Sequence, residues 1–423
     1  MWEKFRQIWK TKDLRKNIFF VLMMLVVFRI AAHIPIPGID VQNLKDFFSQ
    51  NQILGLLNIF SGGGLENFSV VMLGVGPYIT ASIILQLLTM IVPSLEALSK
   101  EPNGQQTINR YTRYLTLPLA ALQGYSFITL LQRQGGNFIS ALTGSQWLIA
   151  IITVTAGTVL LMWLGELISE KKIGNGISLL IFAGIVAGLP AAFQRTVAIF
   201  DSSQALNMLF FIAIALVTVI VVVIITEGQR NVPVNYAKRV RGNRMYGGVN
   251  THLPLRVNLA GVIPIIFAIS LILIPPMIAQ FFMGATTAWI AVGAKFIVDL
   301  FQNQIFYGLI YFILVFAFTY FYTYVVFHPH QIAENLQKQG GFIPGIRPGR
   351  HTAEYLQATV NKILLAGALF LGLIAVLPIV VQPLTGMTSL AIGGTSLLIV
   401  VSVVIDIVKQ IDAQLTMRDY DGL

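Results

Sequence analysis

The sequence predicts an all-α polytopic membrane protein: ten transmembrane helices in two inverted five-helix halves, with one re-entrant half-helix. Three observations predict it. Of 423 residues, 56% are hydrophobic and 11% charged, too little polar surface to cover a water-soluble globule of this size. Apolar windows of about 20 residues, the length that crosses a bilayer at about 1.5 Å of rise each, recur near 17–36, 70–92, 112–132, 147–168, 176–190, 206–226, 257–280, 304–327, 358–380 and 388–408. The chain also echoes itself. Residues 74–85, GVGPYITASIIL, return as 261–272, GVIPIIFAISLI, with Gly, Val, Pro, Ile and Ala in register, and GISLLI at 176–181 returns as GTSLLI at 394–399.

With five spans between a stretch and its copy, the copy runs the other way through the membrane. Such a repeat has a pseudo-two-fold axis in the membrane plane and a functional site near the midplane, between the halves. Ile79 with Ile266, and Ile181 with Ile399, then approach one another around that axis. None of the four is polar, whereas a site for an ion or a sugar needs oxygen or charge at its centre. An isoleucine-lined centre points to a constriction that something slides through.

Taken in order, residues 1–16 are a basic, amphipathic lead-in with Trp2, Phe5, Ile8 and Trp9 on one helical face, suited to the headgroup layer. No small-residue cleavage site follows the next apolar run, so it reads as retained and cytosolic. Residues 17–190 form the first half, spans one to five. Between its first two spans, 51–70 (NQILGLLNIFSGGGLENFSV) is apolar at one end, broken at Gly62, Gly63 and Gly64, and too short to cross. A surface loop would leave six large apolar side chains in water. A half-helix at about 53–68 folded back into the protein is the better expectation, because non-helical backbone is tolerated at membrane depth only inside protein or along a cavity.

Residues 191–408 form the second half, spans six to ten, followed by a cytosolic tail at 409–423. With the N-terminus cytosolic, the outer segments carry Lys45, Arg133, Arg195 and Lys295 against Asp40, Asp46, Glu66, Asp201 and Asp299, a balance of −1, and Arg29 lies within span one. The cytosolic side keeps 23 basic and 13 acidic residues, a balance of +10, so the positive-inside rule sets the orientation. Two cytosolic loops are long. The first, 227–256, holds Arg230, Lys238, Arg239, Arg241, Arg244 and Arg256 against Glu227, and its alternation VPVNYAKRV suggests a β-hairpin. It is either a solvated loop that enforces orientation or, given its length, a docking surface. In the second, 328–357, the run GGFIPGIRPGRH fixes a turn holding Arg347 and Arg350.

Motif searches narrow the chemistry. The chain has no HExxH, GxSxG, P-loop or GxGxxG and no cysteine, so neither enzyme activity nor a cofactor is expected. His328 and His330 flank Pro329 without a third nearby ligand, which makes no metal site. Arg29 is expected to snorkel to the outer interface. Glu166 and Asp406 lie near cytosolic span ends. Thr80, Gln86, Gln123 and Asn258 fall in or at the ends of spans two, three and seven, either as ordinary interhelical hydrogen bonds of about 1 kcal/mol each or as an interface weak enough to part.

These residues bring a resemblance into view. FRIAAHIPIPGID at 28–40, the FSGGG region, GPYITASIILQLL at 76–88, GNGISLLIFAGIVAGLP at 174–190, NYAKRVRGNRMYGG and THLPLRVNLAGVIP within 235–264, GGFIPGIRPG at 340–349 and GGTSLLIVV at 393–401 resemble, in order and spacing, the SecY family of bacterial protein-translocon channel subunits. The resemblance implies an hourglass that opens sideways to lipid in the bacterial plasma membrane. It places a pore ring on Val75, Ile79, Ile181, Ile185, Ile266 and Ile399, and a plug on Phe60, Gly62, Gly63, Gly64 and Leu65. It makes Thr80, Gln86, Gln123 and Asn258 the polar cluster of a lateral gate, and Arg239, Arg241, Arg244, Arg347 and Arg350 docking residues for the ribosome and the SecA motor. Its further implied partners are SecE-like and SecG-like small membrane subunits, signal peptides, nascent chains and anionic lipids. Gln105 and Gln106 stand where the family carries a basic cluster, which weighs against that loop as a ribosome or motor contact, and Val75 replaces the commoner isoleucine, widening the ring slightly.

An aliphatic waist offers no hydrogen bonds, so water and ions face a desolvation barrier while an unfolded chain is gripped loosely. Two rivals stand beside this reading: a secondary transporter, also built from inverted repeats, and a scaffold without a through-pore.

Overall fold

The structure is a computed structural model. It describes residues 11–36, 61–101, 103–133, 144–198, 205–236, 239–241, 244–246, 250–272, 274–283, 287–385 and 394–421, together with Trp9, Leu44 and Asn58. The first part of the chain is helical. Helix α1 spans Lys12–Ala31, α2 Gly76–Ile91, α3 Pro93–Lys100, α4 Gly104–Arg133, α5 Gly144–Glu170, α6 Gly176–Ala198 and α7 Ala205–Glu227. Four short strands follow: β1 (Gln229–Tyr236), β2 (Arg239–Arg241), β3 (Arg244–Tyr246) and β4 (Asn250–Arg256). Then come α8 (Ile263–Ile272), α9 (Ile274–Phe282), α10 (Ala288–Gln302), α11 (Gln304–Val326), α12 (Pro329–Lys338), β5 (Gly341–Phe342), α13 (Arg350–Thr385) and α14 (Gly394–Asp421).

Every apolar window contains helix, but the bounds differ: α4 and α13 run past their windows, whereas the windows at 17–36, 70–92 and 257–280 extend into non-helical residues beside α1, α2 and α8. Among the described residues, four helical stretches are long and apolar enough to cross a membrane unaided: Gly144–Glu170, Met208–Glu227, Gln304–Lys338 and Arg350–Val381. Several of their threonine hydroxyls are satisfied locally, as an apolar solvent demands, although the buried Tyr311 hydroxyl has no partner among the described residues. Thr158, Thr319 and Thr323 each donate to the carbonyl four residues back, at 3.2, 2.6 and 2.7 Å. Helix α2 ends at an elbow, because Pro93 cannot donate to its ladder, and α3 leaves it at 105°.

Glycines set the tightest approaches. A Cβ on Gly176 would overlap the Gly165 carbonyl, and one on Gly157 would overlap the carbonyl of Val70, so α5 packs directly against α6 and against the segment before α2. Ser169 Oγ accepts the Gly176 amide at 2.9 Å, while Asn175 Oδ1 caps α6 by accepting from Ile177 N and Ser178 N at 3.0 and 3.2 Å.

One large apolar core runs through the helices and draws on both ends of the sequence, from Val21 to Val403. The two parts of the chain meet along two seams. At one, α2 and α4 face α8 and α9; at the other, α6 faces α14.

The first long loop is a hairpin, as its alternation suggests. β1 pairs antiparallel with β4 from Gln229↔Arg256 to Asn235↔Asn250, and β2 pairs with β3 at the tip. β5, from the second loop, adds to β1 through Asn235↔Phe342, so the two loops form one appendage over a small core of Val232, Val234, Leu255, Ile343, Leu356 and Val360.

Two expectations change, and a third falls largely outside the described residues. Residues 61–75 form successive turns, not helix, because glycines and the buried hydrogen bonds described below hold them; most of 51–60, where the half-helix was expected, lies outside the described residues. Helix α10 lies between the windows at 257–280 and 304–327, in a segment where no helix was expected. Of the face formed by Trp2, Phe5, Ile8 and Trp9, only Trp9 falls within the described residues.

Candidate functional site

The two echoes fold alike. Helix α2 begins three residues before Ile79 and α8 three before Ile266; α6 begins five before Ile181 and α14 five before Ile399. Gly74 and Gly261, equivalent in the first echo, both take the left-handed conformation, at φ 57 and 63, which a Cβ would disfavour. Each copy thus turns sharply and enters its helix through a proline, Pro77 or Pro264, suited to the first turn.

These starts bring the six predicted ring residues into one apolar cluster. Val75, Ile79, Ile181, Ile185, Ile266 and Ile399 are all buried, from 7% exposed at Ile79 and Ile266 to 0% at Ile399. Ile181 and Ile185 share a face of α6 at i, i+4 spacing. A cavity of about 100 Å³ lies against Val75, Ile79, Ile181 and Ile266, with Ser61, Leu65, Thr80 and Gln123 also in its wall. An apolar void of about 150 Å³ admits one benzene, so the space here excludes an extended polypeptide.

The glycine-broken segment closes over this cavity. Gly62 and Gly63 have φ 70 and 81, and a Cβ on Gly62 would stand 2.7 Å from Phe28 Cζ and 3.2 Å from Gly184 Cα. Ser61 and Leu65 are each 3% exposed; Phe60 lies outside the described residues. Backbone bonds tie the segment to the end of α1, with Ile36 N donating to Phe68 O at 2.9 Å and Val70 N to Ile34 O at 3.0 Å. Glu66 is held by Asn58, which donates to Oε2 at 2.8 Å and accepts the Glu66 amide at 3.0 Å. Arg29, expected to snorkel, instead turns inward and donates to the Gly62 carbonyl, within the field of Glu66. In an apolar surrounding, a fixed backbone acceptor and a nearby carboxylate stabilise the guanidinium more than an extended reach to water.

The four polar residues expected to cluster form one cross-helix pair and two separate partners. Thr80 Oγ1 donates to Gly76 O at 3.1 Å and receives Gln123 Nε2 at 3.5 Å, joining α2 to α4. Gln86 Nε2 donates within α2 to Ser82 Oγ at 3.3 Å, and Asn258 Nδ2 donates to Gly261 O at 3.2 Å. The other oxygens, Gln86 Oε1 and Asn258 Oδ1, are buried without a hydrogen bond among the described residues.

The basic residues lie in the appendage. Arg239, Arg241 and Arg244 sit on the β2–β3 tip, with Arg241↔Arg244 opposite one another. Gly345 and Gly349, at φ 82 and 95, shape the turn that carries exposed Arg347, and Thr352 Oγ1 donates to the Arg347 carbonyl at 3.0 Å. Arg350 pairs with Glu354 at 2.9 Å, so its charge is partly spent within its own helix. Gln105 and Gln106 open α4 and are exposed. Sequence reasoning missed the pairing of Arg113 on α4 with Glu166 on α5 at 2.6 Å; an acid in an otherwise apolar span was its only signal.

Comparisons with known proteins identify the family and the fold. Residues 69–408 match the family model described as SecY. The chain is 44% identical to the protein translocase subunit SecY of Streptomyces scabiei, over 99% of this chain and 98% of that one. It is 45% identical to the protein of the same name from Corynebacterium glutamicum, with the same coverage. Among solved structures, it superposes on one described as the structure of a protein conducting channel with a TM-score of 0.62 at 18% identity, covering 93% of this chain and 90% of the other. A second, described as Sec61 in the canine ribosome-channel complex from the endoplasmic reticulum, gives 0.59 at 18% identity with the same coverage. At that identity the likeness concerns the fold.

Proposed function

Because this chain belongs to the SecY family, we propose that it is a protein-conducting channel, passing unfolded secretory polypeptides across the membrane and releasing apolar helices sideways into lipid. The observation that carries this is the burial, in one cluster, of six aliphatic side chains from distant parts of the chain, four of them against a small cavity. Such a throat imposes a desolvation barrier on ions, and its deformable apolar walls suit a chain of any sequence.

In this reading 17–190 and 191–408 are the two halves, ten helices cross the bacterial plasma membrane, and both termini and the appendage lie in the cytosol. The turns at 61–68 act as the plug, with Arg29 holding Gly62 in the closed state. Thr80, Gln86, Gln123 and Asn258 line a gate between α2/α4 and α8/α9, which a signal peptide opens by binding the open state more tightly than the closed one. Arg239, Arg241, Arg244 and Arg347 dock a ribosome or a SecA-type ATPase, and Arg350 docks after exchanging its Glu354 partner. The chain has no P-loop, and the work comes from those partners. SecE-like and SecG-like subunits complete the complex, and anionic lipids sit beside its basic side.

Ion conductance of the full chain in vesicles, without motor or ribosome, tests the throat. Replacing Ile79→Gly together with Ile266→Gly is expected to raise it at least severalfold. Unchanged conductance would remove the constriction, and coupled uptake of a small solute would replace the channel with a transporter.

A further inference from the structure

Helix α10 has three faces. At about 100° per residue, Ala294 and Val298 fall together and pack on Ala279 of α9. Lys295, Asp299 and Gln302 share a second, exposed strip. Trp289, Val292 and Phe296 lie on a third, within an arc of about 60°, and are 75, 69 and 65% exposed. A helix that only connected two spans through water would gain nothing from so large an apolar face.

The face also has a continuation. Asn303 breaks the helix and caps α11, its Oδ1 accepting from Ile305 N and Phe306 N at 3.0 and 3.3 Å. Phe301 and Phe306 lock the corner edge to face, with ring centroids 5.5 Å apart. Beyond the corner, Ile305, Leu309 and Ile313 at i, i+4, i+8 are 83, 57 and 50% exposed along a stretch apolar enough to cross the bilayer. The exposed apolar surface of α11 therefore runs on into α10.

We propose that α10 lies in the membrane interface on the side opposite the hairpin, and that the partner of its Trp289, Val292 and Phe296 face is lipid: acyl chains below, headgroups around Trp289, and water over Lys295. A helix with one apolar face and a narrow charged strip takes this position, and tryptophan favours the headgroup level. The inference rests on the membrane topology proposed above. Its consequence is that the outer ends of α9 and α11, one bank of the proposed gate, are anchored to one leaflet.

The chain has no cysteine, so single cysteines carry spin labels without background. Full-length protein bearing Phe296→Cys, Lys295→Cys or Leu309→Cys is reconstituted in vesicles of phosphatidylethanolamine and phosphatidylglycerol, and collision of each label with oxygen and with a water-soluble nickel chelate is measured. The label at Phe296→Cys is expected to favour oxygen severalfold, that at Lys295→Cys to favour the chelate severalfold, and that at Leu309→Cys to read as lipid. If the labels at 296 and 295 both favour the chelate while that at 309 reads lipid, α10 stands off in water and the proposal fails alone. Shielding of 296 from both reagents would assign the face to a protein partner and overturn it too. Chelate access at 309 would sink the topology along with it.

Discussion

The two seams between the early and late parts of the chain are built from different materials. Where α6 meets α14, Leu180, Ile181, Leu398 and Ile399 are at most 1% exposed, and a Cβ on Gly174 would touch Ile407 at 3.6 Å. At its edge Gln414 of α14 donates to the Lys172 carbonyl at 2.6 Å. Where α2 and α4 meet α8 and α9, the wall contains a cavity lined in part by Thr80 and Gln123, which contact one another at 3.5 Å. Buried oxygens without a hydrogen bond among the described residues, at a cost of about 1–3 kcal/mol each, occur on both sides of the comparison: Gln86 and Asn258 on one, Ser396 and Ser402 of α14 on the other. The difference is therefore the cavity, since close-packed aliphatics resist separation. The contrast teaches that the seam with the cavity has less packing to lose on separation than the close-packed one, the asymmetry that the proposed sideways opening would use.

The largest effect that would break this comparison is on stability. Ile399→Ala deletes packing at a site with no slack, and the midpoint of thermal unfolding is expected to fall by the equivalent of about 2–5 kcal/mol. Ile266→Ala, beside an existing cavity, is expected to cost visibly less. Equal losses would mean that the seams do not differ.

Next comes the segment that closes the cavity. Arg29→Met removes a charge-assisted bond of about 1.5–3 kcal/mol, so resting ion leak through vesicles is expected to rise roughly tenfold or more at 1.4 kcal/mol per decade. Arg29→Lys should restore part of the seal. A leak that ignores both substitutions would show that the turns close without Arg29.

The smallest effect has the opposite sign. Gln86→Leu replaces an amide whose oxygen is unsatisfied, and the closed seam is expected to gain about 1 kcal/mol. Signal-peptide-dependent transport should slow while thermal stability rises or holds. Faster transport would mean that Gln86 holds the seam together.

Much of this was legible in the sequence because it is encoded locally. The Gly-Val-x-Pro-x-Ile echo specifies a left-handed turn, a proline entry and an isoleucine one turn in, and the structure repeats those features at both copies. The alternation at 232–240 marks the hairpin strand for the same reason. What was not legible depends on partners far along the chain. The acceptor for Arg29 is a backbone carbonyl, which leaves no trace in composition. Gln86 and Asn258 read as members of one polar cluster, yet each found its donor's partner within its own segment. Hydropathy windows mark where lipid begins and not where a helix does, so α4, α13 and α14 continue well past them. The same windows passed over α10, whose charged strip includes Lys295 and Asp299.

The elbow after Ile91 has a mechanical consequence. A rod of eight residues set nearly square to the axis of its neighbour is a crank of about 12 Å. A load on its far end becomes torque about α2, turning Ile79 around the shaft instead of pushing it along.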